Sequence, residues 1–289
     1  MSSVVNVNGQ VTDGADAKIS VFDHGFLFGE GVYETLRTYR QKPFIFDRHM
    51  ARLRASADRI ELPVPLSDVA IRQRVDETMA ALRGPGERYI RVLLTRGVGE
   101  LNYNPADCPE PSLVIVVKPL EEVPDDVLRQ GVKIVVVPMM RNHPASVNPL
   151  IKSNNLLNNA LAMQQAMKHG GVEGLMRNHR GELAECSQSN FFIVRDGEAL
   201  TPPLSAGLLA GLTRQLLLEL GPTIGVPVRE CVLTDADLST ASEAFFTSTT
   251  KELLPVVRID NLIVGSGQPG PITGRLLELF RQTALTQSA

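Results

Sequence analysis

The chain has 289 residues, 43% of them hydrophobic and 21% charged, with a formal net charge of −3. That composition suits a globular chain of about two domains with a sizeable core. It gives no electrostatic basis for binding nucleic acid or an anionic membrane, and no apolar run approaches the roughly 18 residues that span a bilayer.

The amino terminus "MSSVVNVNGQ" has neither a charged nor an apolar leader pattern, so no signal peptide is expected. Residues 1–46 read as short strands and turns, with an Asn-Gly turn in "VVNVNG" and two extended runs in "GVYETLRTYRQKPFIF". Asp47 then caps a helix, "DRHMARLRASADRIEL", with Met50, Leu53, Ala57 and Ile60 on one face. A second helix opens on Ser67 or Asp68 and stops at Gly84, and the strands "RYIRVLLTRG" and "PSLVIVVKPL" follow. Strands and helices in separate runs indicate an α+β first domain, residues 1–118.

The acidic, proline-bearing stretch "PLEEVPDDVLRQG", residues 119–131, reads as a linker to a second domain, residues 132–289. There "VKIVVVPMM" is a buried strand, and "IKSNNLLNNALAMQQA" is a helix with Leu156, Leu157, Ala160 and Leu161 on its buried face. Short strands joined at "RNHRGE" and "RDGE" come next, then a helix, "GLTRQLLLELG", closed by Gly221. The strands "EAFFTSTT" and "LLPVVRIDNLIVG" and a terminal helix, "GPITGRLLELFRQTAL", complete the chain.

Cys108, Cys186 and Cys231 are odd in number and far apart, and the five histidines are scattered. Neither a disulfide framework nor a metal site is expected, and a reducing cytoplasm is the expected compartment.

Five places could carry chemistry, each with an ordinary alternative. Lys152 stands at the mouth of a helix, where a lysine is usually a solvated charge. Glu185 lies among Ala184, Cys186, Phe191 and Phe192, so it is either half-exposed or kept for a cation. Gly211, Leu212 and Thr213 offer backbone N–H groups at a helix start, or ordinary capping by Thr213. Ser248, Thr249 and Thr250 put three hydroxyls at a strand end, or simply a turn. Arg52 suits bidentate phosphate binding, or is a solvated helix arginine. Together they supply an amine, a carboxylate and a phosphate cup, the set that pyridoxal 5′-phosphate requires of a protein.

The same residues carry a resemblance that runs through nearly the whole chain in order. "VFDHGFLFGEGVYETLR", "HMARLRASADRI", "IKSNNLLNNALA", "GELAECSQSNFFIV", and "AGLTRQ" with "TSTTKELLPV" resemble the successive signatures of the fold-type IV (class IV) pyridoxal-phosphate aminotransferases. The resemblance implies a small α+β N-terminal domain and a larger C-terminal pseudo-barrel domain, with the cofactor between them. It implies that Lys152 is the Schiff-base lysine, and that Arg52, Leu212, Thr213, Thr249 and Thr250 contact the phosphate, Leu212 and Thr250 by backbone N–H. Glu185 would face the pyridine nitrogen. A homodimer is implied, with "HGFLFGEGVYETLR", including Phe28 and Tyr33, walling the site at the subunit interface. Small amino and 2-oxo acids are the implied partners, with no nucleic acid or membrane.

Within the family, "RYIRVLL" resembles the branched-chain enzymes, whose tyrosine and arginine help hold substrate carboxylates; Tyr89 and Arg91 match them. Leu101 and Tyr103 stand where D-amino-acid enzymes carry an arginine and a histidine. Against this, Leu156 stands where branched-chain enzymes have a tyrosine, Phe28 also replaces a tyrosine, and Tyr33 and Thr35 depart from "FEG". The resemblance thus implies transfer from leucine, isoleucine or valine to 2-oxoglutarate. The alternatives are a D-amino-acid or (R)-amine transaminase and, behind them, aminodeoxychorismate lyase. The loop "VGELNYNPADCPEP" is the expected lid.

Overall fold

A computed structural model describes residues 3–288. They form two compact units. One takes the chain up to Glu121, the segment Ile151–Leu156 and the stretch from Leu285; the other takes Glu122–Leu150 and Leu157–Ala284.

The first unit is built on an antiparallel sheet of β1 (Val4–Val7), β2 (Gln10–Asp13), β3 (Gly31–Tyr39), β4 (Lys42–Pro43), β5 (Arg88–Thr95) and β6 (Ser112–Pro119), in the order β2-β1-β6-β5-β3-β4. The expected Asn8-Gly9 turn links β1 to β2, both residues taking positive φ (51° and 98°). Arg40 and Gln41 do the same between β3 and β4, at 51° and 62°, without glycine. Their N–H groups donate to the Glu87 carboxylate at 2.8 and 3.2 Å, which offsets the strain of two L-residues there.

Strand alternation sets the faces. Val32, Leu36, Ile90, Val92 and Leu94 turn into a core with Met50, Leu53, Ala57, Ile71 and Val75, from α2 (Phe46–Asp58) and α3 (Asp68–Ala81), which follow the short α1 (His24–Leu27). Tyr33, Thr35, Tyr89 and Arg91 alternate with them and are half-buried on the other face. Ser67 caps α3 as expected, accepting from Ala70 N at 3.2 Å. Asp47 does not cap α2: the cap position is Ile45, left-handed at φ 43°, with no side-chain bond. Burial of Phe46 in the core starts the helix two residues earlier than an Asp47 cap would and leaves Asp47 in the first turn, where its charge favours the helix dipole.

The second unit carries a nine-stranded sheet that curls into a pseudo-barrel. Its elements are α4 (Asp125–Gln130), β7 (Val132–Met140), α5 (Leu157–Lys168), β8 (Gly174–Arg177), β9 (Leu183–Cys186), β10 (Asn190–Arg195), β11 (Glu198–Thr201), α6 (Leu212–Leu220), β12 (Val228–Glu230), α7 (Asp235–Leu238), β13 (Glu243–Ser248), β14 (Glu252–Ile259), β15 (Leu262–Ile263) and α8 (Pro271–Gln287). The order is β12-β11-β10-β13-β14-β7-β8-β9, with β15 on β14. A bond from Leu183 N to Leu233 O, at 2.7 Å, turns the β9 end back toward the chain before α7. The stretch expected as a linker contains α4, which Gly131 ends at φ 69°. "LLPVVRIDNLIVG" divides into β14 and β15 about Asp260, at φ 52°.

Two expectations are corrected. The buried face of α5 is Ala162 and Ala166, whereas Leu157 is 67% and Leu161 40% exposed. Small side chains let the helix approach the sheet so closely that a Cβ on Gly174 would lie 2.7 Å from Ala162 O, so the bulkier apolar stripe turns outward. Gly221 follows α6 but is right-handed (φ −52°), and the turn closes on Gly225 at φ 70°. Gly221 is needed for space instead: a Cβ there would meet Val228 Cγ2 at 2.2 Å.

Candidate active site

In the first unit, β3 and α2 bring together a buried triad. Glu34 points inward between Val32 and Leu36, and α2 sets His49 and Arg52 one turn apart, facing it. Arg52 grips the carboxylate with both arms, Nε to Oε1 at 2.7 Å and Nη2 to Oε2 at 2.8 Å. His49 Nδ1 lies 2.7 Å from Oε2. Burial pushes the Glu34 carboxyl up, but the Arg52 charge and the bonds from Arg52 and His49 outweigh it and hold it at about 2. Burial also lowers His49, and the Arg52 and Lys152 charges add to that against the pull of Glu34. The imidazole is therefore neutral beside an ionised pair.

Lys152 lies next to this triad. Its segment runs alongside the start of β3: Tyr33 N donates to Lys152 O and Asn154 N to Gly31 O, each at 2.9 Å. Lys152 N donates to Ser56 Oγ on α2 at 3.1 Å. The backbone is thus pinned independently of the side chain, and the amine lies over the Tyr33 ring, 4.6 Å from its centroid. The Arg91 guanidinium lies over the same ring at 3.9 Å. Tyr33, Arg91 and Lys152 are therefore gathered. Tyr89 shares the face of β5 with Arg91, but its ring meets Lys118 Nζ at 5.4 Å. Phe28 stands between the buried His24 ring and Tyr103, 4.9 Å from each, so it touches the loop expected to be the lid.

In the second unit, Glu185 on β9 is buried and has its cation. Arg141 Nε donates to Oε1 at 2.7 Å, while Asn190 Nδ2 and Leu209 N donate to Oε2 at 3.2 and 3.1 Å. Helix α6 begins at Gly211 with no side-chain cap, so Thr213 does not cap it. The backbone N–H groups of its first turn are left pointing outward along the dipole. Gly211 is required here, since a Cβ would fall 1.8 Å from Asn190 Oδ1. Thr249 and Thr250 are half-buried in the turn between β13 and β14.

A pyridoxal phosphate fits these donor sets on one structural point. Thr247, opposite Asn190 in the β10–β13 register, is 2% exposed, and its hydroxyl has no hydrogen-bond partner among the described residues. A buried hydroxyl with no protein partner, an uncapped helix start and two further hydroxyls form the kind of donor set that a phosphate group accepts from. Among the described residues, no three His, Cys, Asp or Glu side chains gather as a metal site needs, and no helix is long and apolar enough to cross a membrane.

The sequence reading missed Glu34, His49, Arg141, Asn190 and Thr247. Glu34 carried a legible signal, a carboxylate in the inward register of an apolar strand. His49 is placed by the packing of α2 on β3, and Arg141, Asn190 and Thr247 by the way distant segments of the second sheet come together.

The amino-transferase class IV family model matches residues 31–259. A Methanocaldococcus jannaschii protein named provisionally as a branched-chain-amino-acid aminotransferase is 36% identical over 279 residues, 96% of this chain and 95% of that protein. A Listeria monocytogenes D-alanine aminotransferase is 35% identical over 280 residues, 96% of this chain and 94% of the enzyme. Among solved structures, the Escherichia coli branched-chain amino acid aminotransferase superposes with a TM-score of 0.93 at 29% identity, over 100% of this chain and 97% of that one. The T.th. branched-chain enzyme, solved with pyridoxamine 5′-phosphate, gives 0.92 at 26%, over 99% and 95%.

Proposed function

Because the chain belongs to the class IV aminotransferases, we propose that it moves the amino group of leucine, isoleucine or valine to 2-oxoglutarate, using pyridoxal 5′-phosphate. The observation that carries this reading is the shared Tyr33 ring, with the Lys152 amine at 4.6 Å and the Arg91 guanidinium at 3.9 Å. It sets a carboxylate-binding cation beside the reactive amine. The Methanocaldococcus and Escherichia proteins support the same reading.

When bound, the cofactor supplies an aldehyde for the amino group and a ring that takes up the electrons left at the substrate α-carbon. The protein does the rest. Lys152 would hold the cofactor through its amine and, once a substrate amine has displaced it, would be the free base placed to move the substrate α-proton. Tyr33 fixes the position from which that amine acts. Glu185 would be the carboxylate that faces the ring nitrogen and favours its protonated form, and Arg141, Asn190 and Leu209 N keep Glu185 in one orientation. The Leu212 and Thr213 N–H groups, Thr249, Thr250 and Arg52 take the phosphate, with Thr247 added to the set. Tyr89 and Arg91 hold a substrate carboxylate, and Phe28 walls the pocket. Replacing Glu185 by Gln leaves the cofactor bound but slows amino transfer by about 10²-fold; an unchanged rate removes Glu185 from this role.

The working unit in this reading is a homodimer in the cytoplasm. Val21, Phe22, Phe26, Val98, Leu101 and Tyr103 are exposed apolar side chains of the first unit. The 21–26 and 98–103 stretches are joined by the Asp23–Val98 bridge, a patch suited to burial against a second copy. The three free cysteines agree with a reducing compartment.

A second reading, a D-amino-acid aminotransferase, is favoured by the Listeria relative at 35% identity. Steady-state assays with 2-oxoglutarate separate the two. Turnover of L-leucine, L-isoleucine and L-valine with little from D-alanine is expected. Turnover of D-alanine alone would replace the first reading by the second.

A further inference from the structure

We propose that Glu173 and Lys251 are a positioning pair that fixes the Ser248–Thr250 turn, and with it the grip of the protein on the cofactor phosphate. This rests on the reading of Thr249 and Thr250 as phosphate contacts.

Glu173 stands just before β8 and is fully buried. Its carboxylate joins three stretches of chain. Oε2 accepts from Ser187 Oγ at 2.7 Å and from Gln188 N at 2.9 Å, both in the turn between β9 and β10. Oε1 accepts from Lys251 Nζ at 3.1 Å. A buried carboxylate needs both donors and a cation, and Lys251 is the cation. The lysine stem reaches inward past Phe246, its amine 5.4 Å from that ring centroid.

What the pair holds is a three-residue connection, Thr249-Thr250-Lys251, between β13 and β14. Lys251 N donates to Ser248 Oγ at 3.2 Å, closing the turn on itself. Glu252, the next residue, is left-handed at φ 56°, a conformation an L-residue keeps only when its surroundings impose it. Arg281 Nε holds the Glu252 carboxylate at 2.6 Å. The hydroxyl turn is therefore clamped on its far side by two ion pairs, to Glu173 and to Arg281. Without the Lys251 anchor, the two threonines keep their chemistry but lose their fixed direction, and anion sites depend on direction at the sub-ångström level.

A clamp specific to the phosphate can be told apart from a general structural role. The full-length protein, freed of cofactor, is titrated by absorbance with pyridoxal 5′-phosphate and with pyridoxal, which offers the same aldehyde without the phosphate. The readout is the ratio of the two dissociation constants. In Lys251→Met the preference for the phosphorylated aldehyde falls about tenfold or more while pyridoxal binding stays within about twofold. Lys251→Arg keeps the wild-type ratio. The double variant Glu173→Gln with Lys251→Met leaves no unpaired buried charge, so it folds where the single variant fails, and it shows the same fall. An unchanged ratio in both variants, or equal weakening of both ligands, overturns the proposal. A wild-type protein that does not prefer the phosphate refutes the reading of the cup itself, and the proposal with it.

Discussion

Replacing Lys152 by alanine is expected to lower amino transfer by about 10³-fold or more, since in the proposed mechanism it removes both the covalent anchor and the proton-transfer group. The protein should otherwise stay folded. The bonds that pin this segment, Tyr33 N to Lys152 O and Lys152 N to Ser56 Oγ, are made by its backbone and survive the change. Rate measurements under saturating cofactor and a thermal melt together check the result. Full turnover in the variant contradicts the assignment of Lys152, and loss of the fold would show that the amine also carries stability through its place over the Tyr33 ring.

The second large effect concerns Glu34. Changing it to Gln removes one charge from a buried triad and leaves the Arg52 guanidinium without its anion, at a cost of about 3 kcal/mol at neutral pH. The pH dependence carries the sign. An unfolded Glu34 titrates at 4.5 and the folded one at about 2. The fold thus favours the carboxylate, and that stability is complete above 4.5 and lost as pH falls toward about 2. His49 is held below its ordinary 6.5, so the unfolded chain takes its proton first and acid below that value also favours unfolding. Wild-type stability therefore declines as pH drops below 6.5 and more steeply below 4.5. In Glu34→Gln the decline below 4.5 is shallower by the Glu34 contribution, with the lowered carboxylates of Glu182 and Asp237 still adding theirs. Urea titrations at a series of pH values test this, and parallel curves for the two proteins would contradict it. Arg52 is a phosphate contact in the proposed site and is held by Glu34, so weaker phosphate binding is expected to accompany the loss of stability.

The residues proposed to supply reactive groups are more legible in the sequence than those that hold them. Lys152, Glu185 and the Gly211–Thr213 helix start are marked by local pattern. For Glu185 the two open readings were half-exposure or a cationic partner, and Arg141 supplies the partner. Nothing local connects Arg141 to Glu185, because β7 and β9 meet only through β8. Thr247 becomes conspicuous only once its register with Asn190 is known. On α5 the period was right and the face wrong: Leu157 and Leu161 mark a stripe, but helix periodicity alone does not say which side meets the sheet. The Asp47 cap failed for a tertiary reason, the burial of Phe46, which no capping preference anticipates.

The most direct measurement is to load the protein with pyridoxal 5′-phosphate, trap the amine–aldehyde linkage with borohydride and locate the modified residue by peptide mass spectrometry. The account predicts a single phosphopyridoxyl group on Lys152. Modification at another lysine, Lys251 included, or none at all, would contradict it.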